Sequence, residues 1–468
     1  MTRKNFEFLE VRREAPKERW APERIEDFNE IQGNYSENKA KLQASRCLDC
    51  GNPYCQFQCP VQNYIPQWLK LVQQGRILEA AELSHQTNSL PEICGRVCPQ
   101  DRLCEGSCTL DDDFGAVNIG AIEKYITDTA FEMGWEPQKP SIKPTGKTVA
   151  IIGAGPAGLA CADILIQNGI TPIVYDRYPQ IGGLLSFGIP SFKLEKEVVE
   201  KRRKILEGMG VIFKLNTDIG RDIAFDDLYQ NHDAVFIAVG TYNKVKASIP
   251  GENLAGVYQA LDYLTNNNYY QMGLVDKKAH HNFYFERVVI LGGGDTAMDC
   301  SRTAIRQEAS SVYCAYRRHE KAMPGSYREV YKAKEEGVKF LWHHQPIEII
   351  GKDKVEGVKF AKTELVQQEN TGKMELKVIE DSEIIIPAER VVIAFGFKPN
   401  ALSWLNDYQV KTDQSGRIIA KGANKHPFQT SDDKIFAGGD IRRGADLVVT
   451  AIFEGRSAAK SILNYLSA

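Results

Sequence analysis

Residues 148–176 read TVAIIGAGPAGLACADILIQNGITPIVYD, and the fold follows from how that run is punctuated. Val149, Ile151 and Ile152 make a short β-branched run, the composition of a buried parallel strand. Gly153, Gly155 and Gly158 follow in G-x-G-x-x-G order. The first permits a tight turn, the second lets the backbone approach a pyrophosphate, and the third lets the next helix pack on the strand. Residues 157–167 continue at helical spacing, their N-terminal amides and dipole aimed at the phosphates. A second strand, 172–175, ends at Asp176, where an acid accepts hydrogen bonds from a ribose 2′-hydroxyl. An ordinary βαβ turn is the alternative. Strand, glycines, helix, strand and terminal acid at these offsets favour a dinucleotide site.

Around that stretch, the 468-residue chain has room for about three domains. Its 43% hydrophobic and 25% charged content is that of an ordinary globular protein. A net charge of −3 argues against a mainly electrostatic nucleic-acid partner. No apolar run reaches membrane-spanning length, and the opening MTRKNFEFLEVRREAPKERW has no apolar signal core. The expectation is a cytoplasmic protein with no membrane or nucleic-acid partner, whose eleven cysteines are not structural disulfides.

Residues 1–45 are charged, with Pro16 and Pro22, and read as an arm that lies on something else. Two cysteine clusters follow, Cys47-x2-Cys50-x4-Cys55-x3-Cys59-Pro60 and Cys94-x3-Cys98-Pro99-x4-Cys104-x3-Cys108. Helical spacing over 68–84 separates them. Zinc prefers separated ligand pairs and often includes histidine, yet residues 47–108 offer only His85, outside both clusters. Iron–sulfur clusters suit closely spaced thiolates and Cys-Pro endings, so eight thiols suggest two four-iron (4Fe–4S) clusters. Cys161, Cys300 and Cys314 stand alone and read as packing residues.

Beyond Asp176, residues 181–190 (IGGLLSFGIP) read as a glycine-rich loop, 193–209 as a charged amphipathic helix, and 234–239 as a strand. Residues 251–286 read as a polar connection. RVVILGGGDTAMDCSR, 287–302, then repeats the opening device with Gly292, Gly294 and Ala297. Its second strand, 311–316, ends at Arg317-Arg318, where arginine can grip the 2′-phosphate of NADP. A solvated charge pair is the alternative there. Residues 382–387 and 391–395 read as strands returning the chain to the first domain, and 435–440 (IFAGGD) ends a strand on Asp440. Residues 447–463 form a long helix, whose N-terminus beside a flavin ring would stabilise negative charge. Asp440 could bond a ribityl chain. The expected fold is α/β: two Rossmann-like dinucleotide-binding domains, one inserted in the other, after a mainly α-helical iron–sulfur domain. The expected domains are 1–145 (iron–sulfur), 146–285 with 390–468 (FAD), and 286–389 (NADPH).

These modules occur together in one family. The sequence resembles the small (β) subunit of bacterial NADPH-dependent glutamate synthase. The resemblance is carried by 47–71 (CLDCGNPYCQFQCPVQNYIPQWLKL), 82–110 (ELSHQTNSLPEICGRVCPQDRLCEGSCTL), AIIGAGPAGLACAD, GGLLSFGIPSFKLEKEV, GGGDTAMDC, AYRRHEKAMPGS and 436–456 (FAGGDIRRGADLVVTAIFEGR). The module also resembles the NADPH-reading half of dihydropyrimidine dehydrogenase and subunits of electron-bifurcating transhydrogenases. The resemblance implies FAD at Gly153, Gly155, Pro156, Ala157, Gly158, Asp176, Gly183, Leu184, Gly439, Asp440 and Thr450. It implies NADPH at Gly292, Gly294, Asp295, Thr296, Ala297, Arg317 and Arg318. It also implies one cluster on Cys47, Cys50, Cys55 and Cys108, a second on Cys59, Cys98, Cys104 and Glu123 (in GAVNIGAIEKY), and no iron at Cys94. One departure is Tyr327, where relatives often carry another arginine, which leaves the 2′-phosphate clamp to Arg317, Arg318 and Arg328.

The implied activity is electron input: NADPH is oxidised at FAD, and electrons pass through the clusters to a large (α) subunit that makes glutamate from glutamine and 2-oxoglutarate. No side chain need act as a catalytic nucleophile. The alternatives are an electron-input subunit of another oxidoreductase and a non-catalytic iron–sulfur redox sensor. A thioredoxin-reductase-like enzyme would need a redox Cys-x-x-Cys in its dinucleotide domain, and Cys300 and Cys314 are too far apart to supply one.

Overall fold

Alternate side chains of Thr148–Ile152 enter two different cores. Val149 and Ile151 pack with the helix Pro156–Gln167, while Ala150 and Ile152 pack with Phe225, Leu228 and Leu405 on the other face. A strand buried on both faces needs parallel neighbours and covering layers. The computed structural model supplies them in an all-parallel sheet ordered Ile435–Ala437, Ala234–Ile237, Thr148–Ile152, Thr171–Tyr175, Ile212–Lys214. It describes residues 6–138, 142–367, 374–421 and 426–467, so the first five residues of the opening arm lie outside it. The long helix Val448–Ser467 runs past the expected 447–463 and packs on Pro156–Gln167. At their crossing, a Cβ on Gly455 would overlap the Ala157 carbonyl, so glycine sets how closely the two helices approach.

A second all-parallel sheet is ordered Val257–Gln259, Arg390–Ile393, Arg287–Leu291, Ser311–Tyr316, Lys339–Trp342. An antiparallel sheet covers one of its faces, with Val355–Gln367 pairing His344–Gly351, Met374–Val378 and Ile384–Pro387. Both strands expected to return the chain to the first domain therefore belong to the inserted unit. The chain exchanges sheets instead where Asn243–Lys244 and Phe397–Lys398 pair antiparallel. The expected boundaries at 285/286 and 389/390 thus cut through the second unit. Nor are residues 251–286 a bare connection, since they hold a strand and the helix Ala260–Gln271. That helix carries two asparagines inward, each with a hydrogen bond: Asn267 accepts from Gln307 at 3.0 Å and Asn268 donates to the Ile189 carbonyl at 3.2 Å.

The helix expected over 68–84 is two, Ile65–Gln73 and Ile77–Thr87, broken at Gly75 with φ 76°. The 181–190 loop contains the short helix Leu184–Phe187, and the charged helix starts at Lys196, after an extended Glu195, instead of at Lys193. The arm lies on the rest of the chain as expected. Buried Arg24 donates from Nε to Glu336 at 2.8 Å, and Arg302 and Arg306 of the second unit reach the same carboxylate at 2.9 and 2.7 Å. Both also lie over the ring of Phe192, from the first unit.

Burial alone would raise the Glu336 carboxyl, but the bonds from Arg302 and Arg306 outweigh it and hold it at about 2. Glu336→Gln should therefore cost about 3–5 kcal/mol, because three guanidinium groups lose their anion. The readout is a lower denaturant midpoint, with exposed Arg76→Ala as the unshifted control. The folded value lies below the ordinary 4.5, so this stabilisation is complete above that pH and is lost as pH falls towards 2. A Glu336→Gln midpoint equal to the parent's would rule out this anchoring role.

Candidate functional site

The two glycine turns use their backbones in the same way. Gly153 has φ 108° and Gly292 has φ 145°, values that suit glycine. Where each would carry a Cβ lies the carbonyl of a neighbouring strand end, Ala238 for the first turn and Ala394 for the second. A Cβ on Gly158 would overlap the Gly153 carbonyl, so the third glycine permits the close helix–strand packing expected of it. Gly155 and Gly294 differ from these: no atom lies within 4 Å of an added Cβ at either. Each caps a helix, Pro156–Gln167 or Asp295–Arg306, so the open space faces unpaired amides and the positive end of a dipole. Such cradles fit the diphosphates of two dinucleotides.

Around the first turn, Asp176 accepts the Ala154 amide at 2.6 Å and the Tyr178 amide at 2.9 Å, while burial pushes its carboxyl up. Gly183 closes the loop, with an added Cβ 3.2 Å from the Gly155 Cα. Gly439 has φ 73° and donates its amide to Glu454, and burial pushes neighbouring Asp440 to about 7. Thr450 spends its hydroxyl on the Leu447 carbonyl at 2.7 Å. Leu447, Val448 and Ala451 line the adjoining cavity instead, a helical phase that the motif alone does not reveal.

That cavity, about 420 Å³, is where the modules meet. Gly155, Pro156, Ala157, Asp176 and Leu184 line it from the first unit, and Asp295, Thr296 and Asp299 from the second. The cysteine module contributes Cys98, Pro99, Gln100 and Glu105. Arg317 and Arg318 lie outside it, exposed at the end of Ser311–Tyr316, with no ion-pair partner for either among the described residues. Arg328 does not join them: it bonds Glu105 at 2.6 Å and Gln100 at 3.3 Å, so its charge ties the second unit to the cysteine module. The expectation that it completes a 2′-phosphate clamp is corrected on that ground.

The thiols fall into two groups. Cys47, Cys50, Cys55 and Cys108 surround a small cavity walled by Leu48, Pro66, Leu69 and Leu110. Burial, then the neighbouring thiols, push Cys47 and Cys55 up to about 12. Burial raises Cys59 and Cys104, and adjacent Cys94 raises Cys98, with Glu123 adding to all three; burial pushes Glu123 itself to about 8. Asn63 and Asn88 donate to the Glu123 carboxylate at 3.0 and 3.4 Å. Buried, mutually facing acids ionise together only when cations neutralise them, which suits a metal cluster. Among the described residues, no group of three His, Cys, Asp or Glu has single-ion geometry. Cys94 is buried beside Cys98, and Cys161, Cys300 and Cys314 are buried in apolar cores.

Residues 24–135 match the family described as dihydropyrimidine dehydrogenase domain II, 4Fe-4S cluster, and residues 147–455 match the pyridine nucleotide-disulphide oxidoreductase family. Over 470 residues the chain is 56% identical to the glutamate synthase NADPH small chain of Escherichia coli K12, covering 100% of both. It is 51% identical to the putative oxidoreductase AegA of the same organism, covering 94% of this chain and 67% of that protein. Among solved structures it resembles FprA from Mycobacterium tuberculosis, with TM-score 0.57 and 20% identity over 69% of this chain and 85% of that one, a likeness of fold.

Iron analysis of anaerobically purified protein tests the thiol grouping. Cys50→Ala should remove one cluster's share of iron, whereas Cys94→Ala should leave the content nearly unchanged. Stoichiometric zinc with little iron would overturn the cluster assignment.

Proposed function

Because the chain belongs to the NADPH-dependent glutamate synthase small-chain family, we propose that it is the electron-input chain of such an enzyme. In this reading it oxidises NADPH and delivers the electrons to a large subunit that makes glutamate. The observation that carries the proposal is the shared cavity, where residues of both dinucleotide turns and of the cysteine module line one space. The fold is α/β, with two parallel sheets behind a mainly helical module. Among the described residues no helix is long and apolar enough to cross a membrane. We take the cytoplasm as the setting.

Gly153, Gly155 and Pro156 would hold the diphosphate of FAD and Asp176 its ribose, with Gly183, Leu184 and Asp440 along its length. The turn Gly292–Ala297 would hold NADPH, with Arg317 and Arg318 on its 2′-phosphate. Cys47, Cys50, Cys55 and Cys108 would hold one cluster, and Cys59, Cys98, Cys104 and Glu123 the other. Bound there, a flavin takes two electrons together and four-iron clusters one at a time, so the order converts a hydride into single electrons. The chain's own contribution is positioning and exclusion of water. Leu447 and Val448 turn the N-terminal end of their helix towards the cavity, a positive end that favours negative charge on what stacks against it. Leu184, Leu185 and Ile189 add apolar lining to the same cavity.

Arg317 and Arg318 should set the preference for NADPH. Charge-assisted bonds to phosphate are worth about 1.5–3 kcal/mol each, so losing both should cost at least roughly tenfold in the NADPH/NADH ratio of kcat/KM. A double alanine variant that kept its ratio would overturn the assignment.

The reading also divides labour between chains. The cysteines nearest the start of this sequence, from Cys47 on, are assigned to iron in this reading, and both dinucleotide turns to FAD and NADPH. The isolated chain should oxidise NADPH with ferricyanide yet form no glutamate from glutamine and 2-oxoglutarate until a large subunit is added. Glutamate from the single chain would refute this. The 51% identity to AegA supports a second reading, electron input to another oxidoreductase; failure with every cognate large subunit would favour it.

A further inference from the structure

The cysteine module reaches the second glycine turn through one side chain. Residues Gln100–Arg102 form a tight turn between Cys98 and Cys104. From it Arg102 donates through Nη1 to the Pro324 carbonyl at 2.6 Å and faces the Asp295 carboxylate through Nη2 at 3.4 Å. The 323–326 loop lies against the turn itself: the Gly325 amide donates to the Gly293 carbonyl at 3.0 Å, and the Ser326 amide to Asp295 at 2.8 Å. Arg102 therefore stands beside the open space at Gly294, with its side chain 42% exposed.

Charge gives this contact its meaning. Asp295 is the first residue of its helix, so a carboxylate occupies the end of the cradle into which a diphosphate would come. Two anions that close repel each other, whatever the dipole contributes. Among the described residues Arg102 is the ion-pair partner of Asp295. The buried cation nearby, Lys193, is committed to Asp299 and Glu329 at 2.9 and 3.3 Å. A guanidinium has five N–H donors, and Arg102 has spent two groups on Pro324 and Asp295. Its remaining donors face no protein acceptor among the described residues, and its charge offsets the Asp295 carboxylate beside an incoming phosphate.

We propose that Arg102, carried by the cysteine module, is a binding residue for the diphosphate of the nicotinamide dinucleotide, completing across the domain boundary a cradle built in the second unit. The proposal rests on the reading of Gly292–Ala297 as the NADPH turn. It differs from the role of Arg317 and Arg318 in a measurable way. NADP and NAD share the diphosphate, so Arg102 contributes to both and leaves their ratio alone.

The experiment is calorimetric titration of the loaded holoenzyme with NADP⁺ and with NAD⁺, for the parent, Arg102→Gln and Arg102→Lys. Glutamine keeps a donor for the Pro324 carbonyl but loses the charge; lysine keeps the charge. Flavin and iron contents equal to the parent's establish that the variants are folded. Arg102→Gln should raise both dissociation constants by about five-fold or more, with an unchanged NADP⁺/NAD⁺ ratio, and the loss should shrink at high salt. Arg102→Lys should recover most of the affinity. A parent that binds neither nucleotide would overturn the reading of the turn itself. A parent that binds both, with Arg102→Gln unchanged, would overturn the role of Arg102 alone. So would a loss confined to NADP⁺, or a lysine variant as weak as glutamine.

Discussion

Three guanidinium groups converge on one buried carboxylate, Glu336, and the arrangement of the modules depends on pairings of that kind. Arg24 comes from the N-terminal arm, while Arg302 and Arg306 belong to the second sheet's unit and stack on Phe192 of the first. Similar pairs cross the other boundaries: Arg202 holds Glu92 at 2.7 Å between the first unit and the cysteine module, and Lys193 reaches Asp299. A buried charge deprived of its partner is far more costly than an exposed one. Separating the modules would orphan several at once. The chain therefore holds one arrangement, which electron transfer between fixed groups requires.

The same reasoning explains how thiols distant in sequence come together. Arg46 immediately precedes Cys47, and its guanidinium donates to the carbonyls of Phe114, Gly115 and Ala116 at 2.7–2.9 Å. Those carbonyls lie just after Cys108. The clamp thus draws the end of the second cysteine run against the start of the first, and Cys108 joins Cys47, Cys50 and Cys55 around one cavity. Asn63 and Asn88 do comparable work at the other group by fixing the Glu123 carboxylate near Cys59 and Cys98.

What the sequence made legible was local. The glycine turns are short-range devices, and each of their glycines sits where a backbone or an open cradle demands it. Sheet partnership is not local. Nothing in 251–286 states that Val257–Gln259 will pair with Arg390–Ile393, more than a hundred residues away, so a paired strand and a helix read as a linker. Arg328 read as a free cation because Glu105, its partner, lies in another module. Thr450 read as lining the site because a motif gives neighbourhood but not helical phase, and Leu447, Val448 and Ala451 hold that face. Gly75 was a visible break that the apolar periodicity on either side outweighed.

The two turns share a backbone design, and the residue that follows each second strand differs in charge, a difference that on the proposed reading sorts their ligands. In the first unit it is Asp176, buried and fixed by two backbone amides. A 2′-phosphate there would meet a carboxylate that cannot swing aside, so the site favours a free ribose hydroxyl. In the second unit it is Arg317 with Arg318, two exposed cations without ion-pair partners among the described residues. A free hydroxyl there leaves both unsatisfied, while a phosphate engages them. Two near-identical cradles opening onto one cavity would otherwise compete for the same dinucleotides. On the proposed assignment, opposite charges at matching positions would remove that competition, giving the hydride donor the second turn and its acceptor the first.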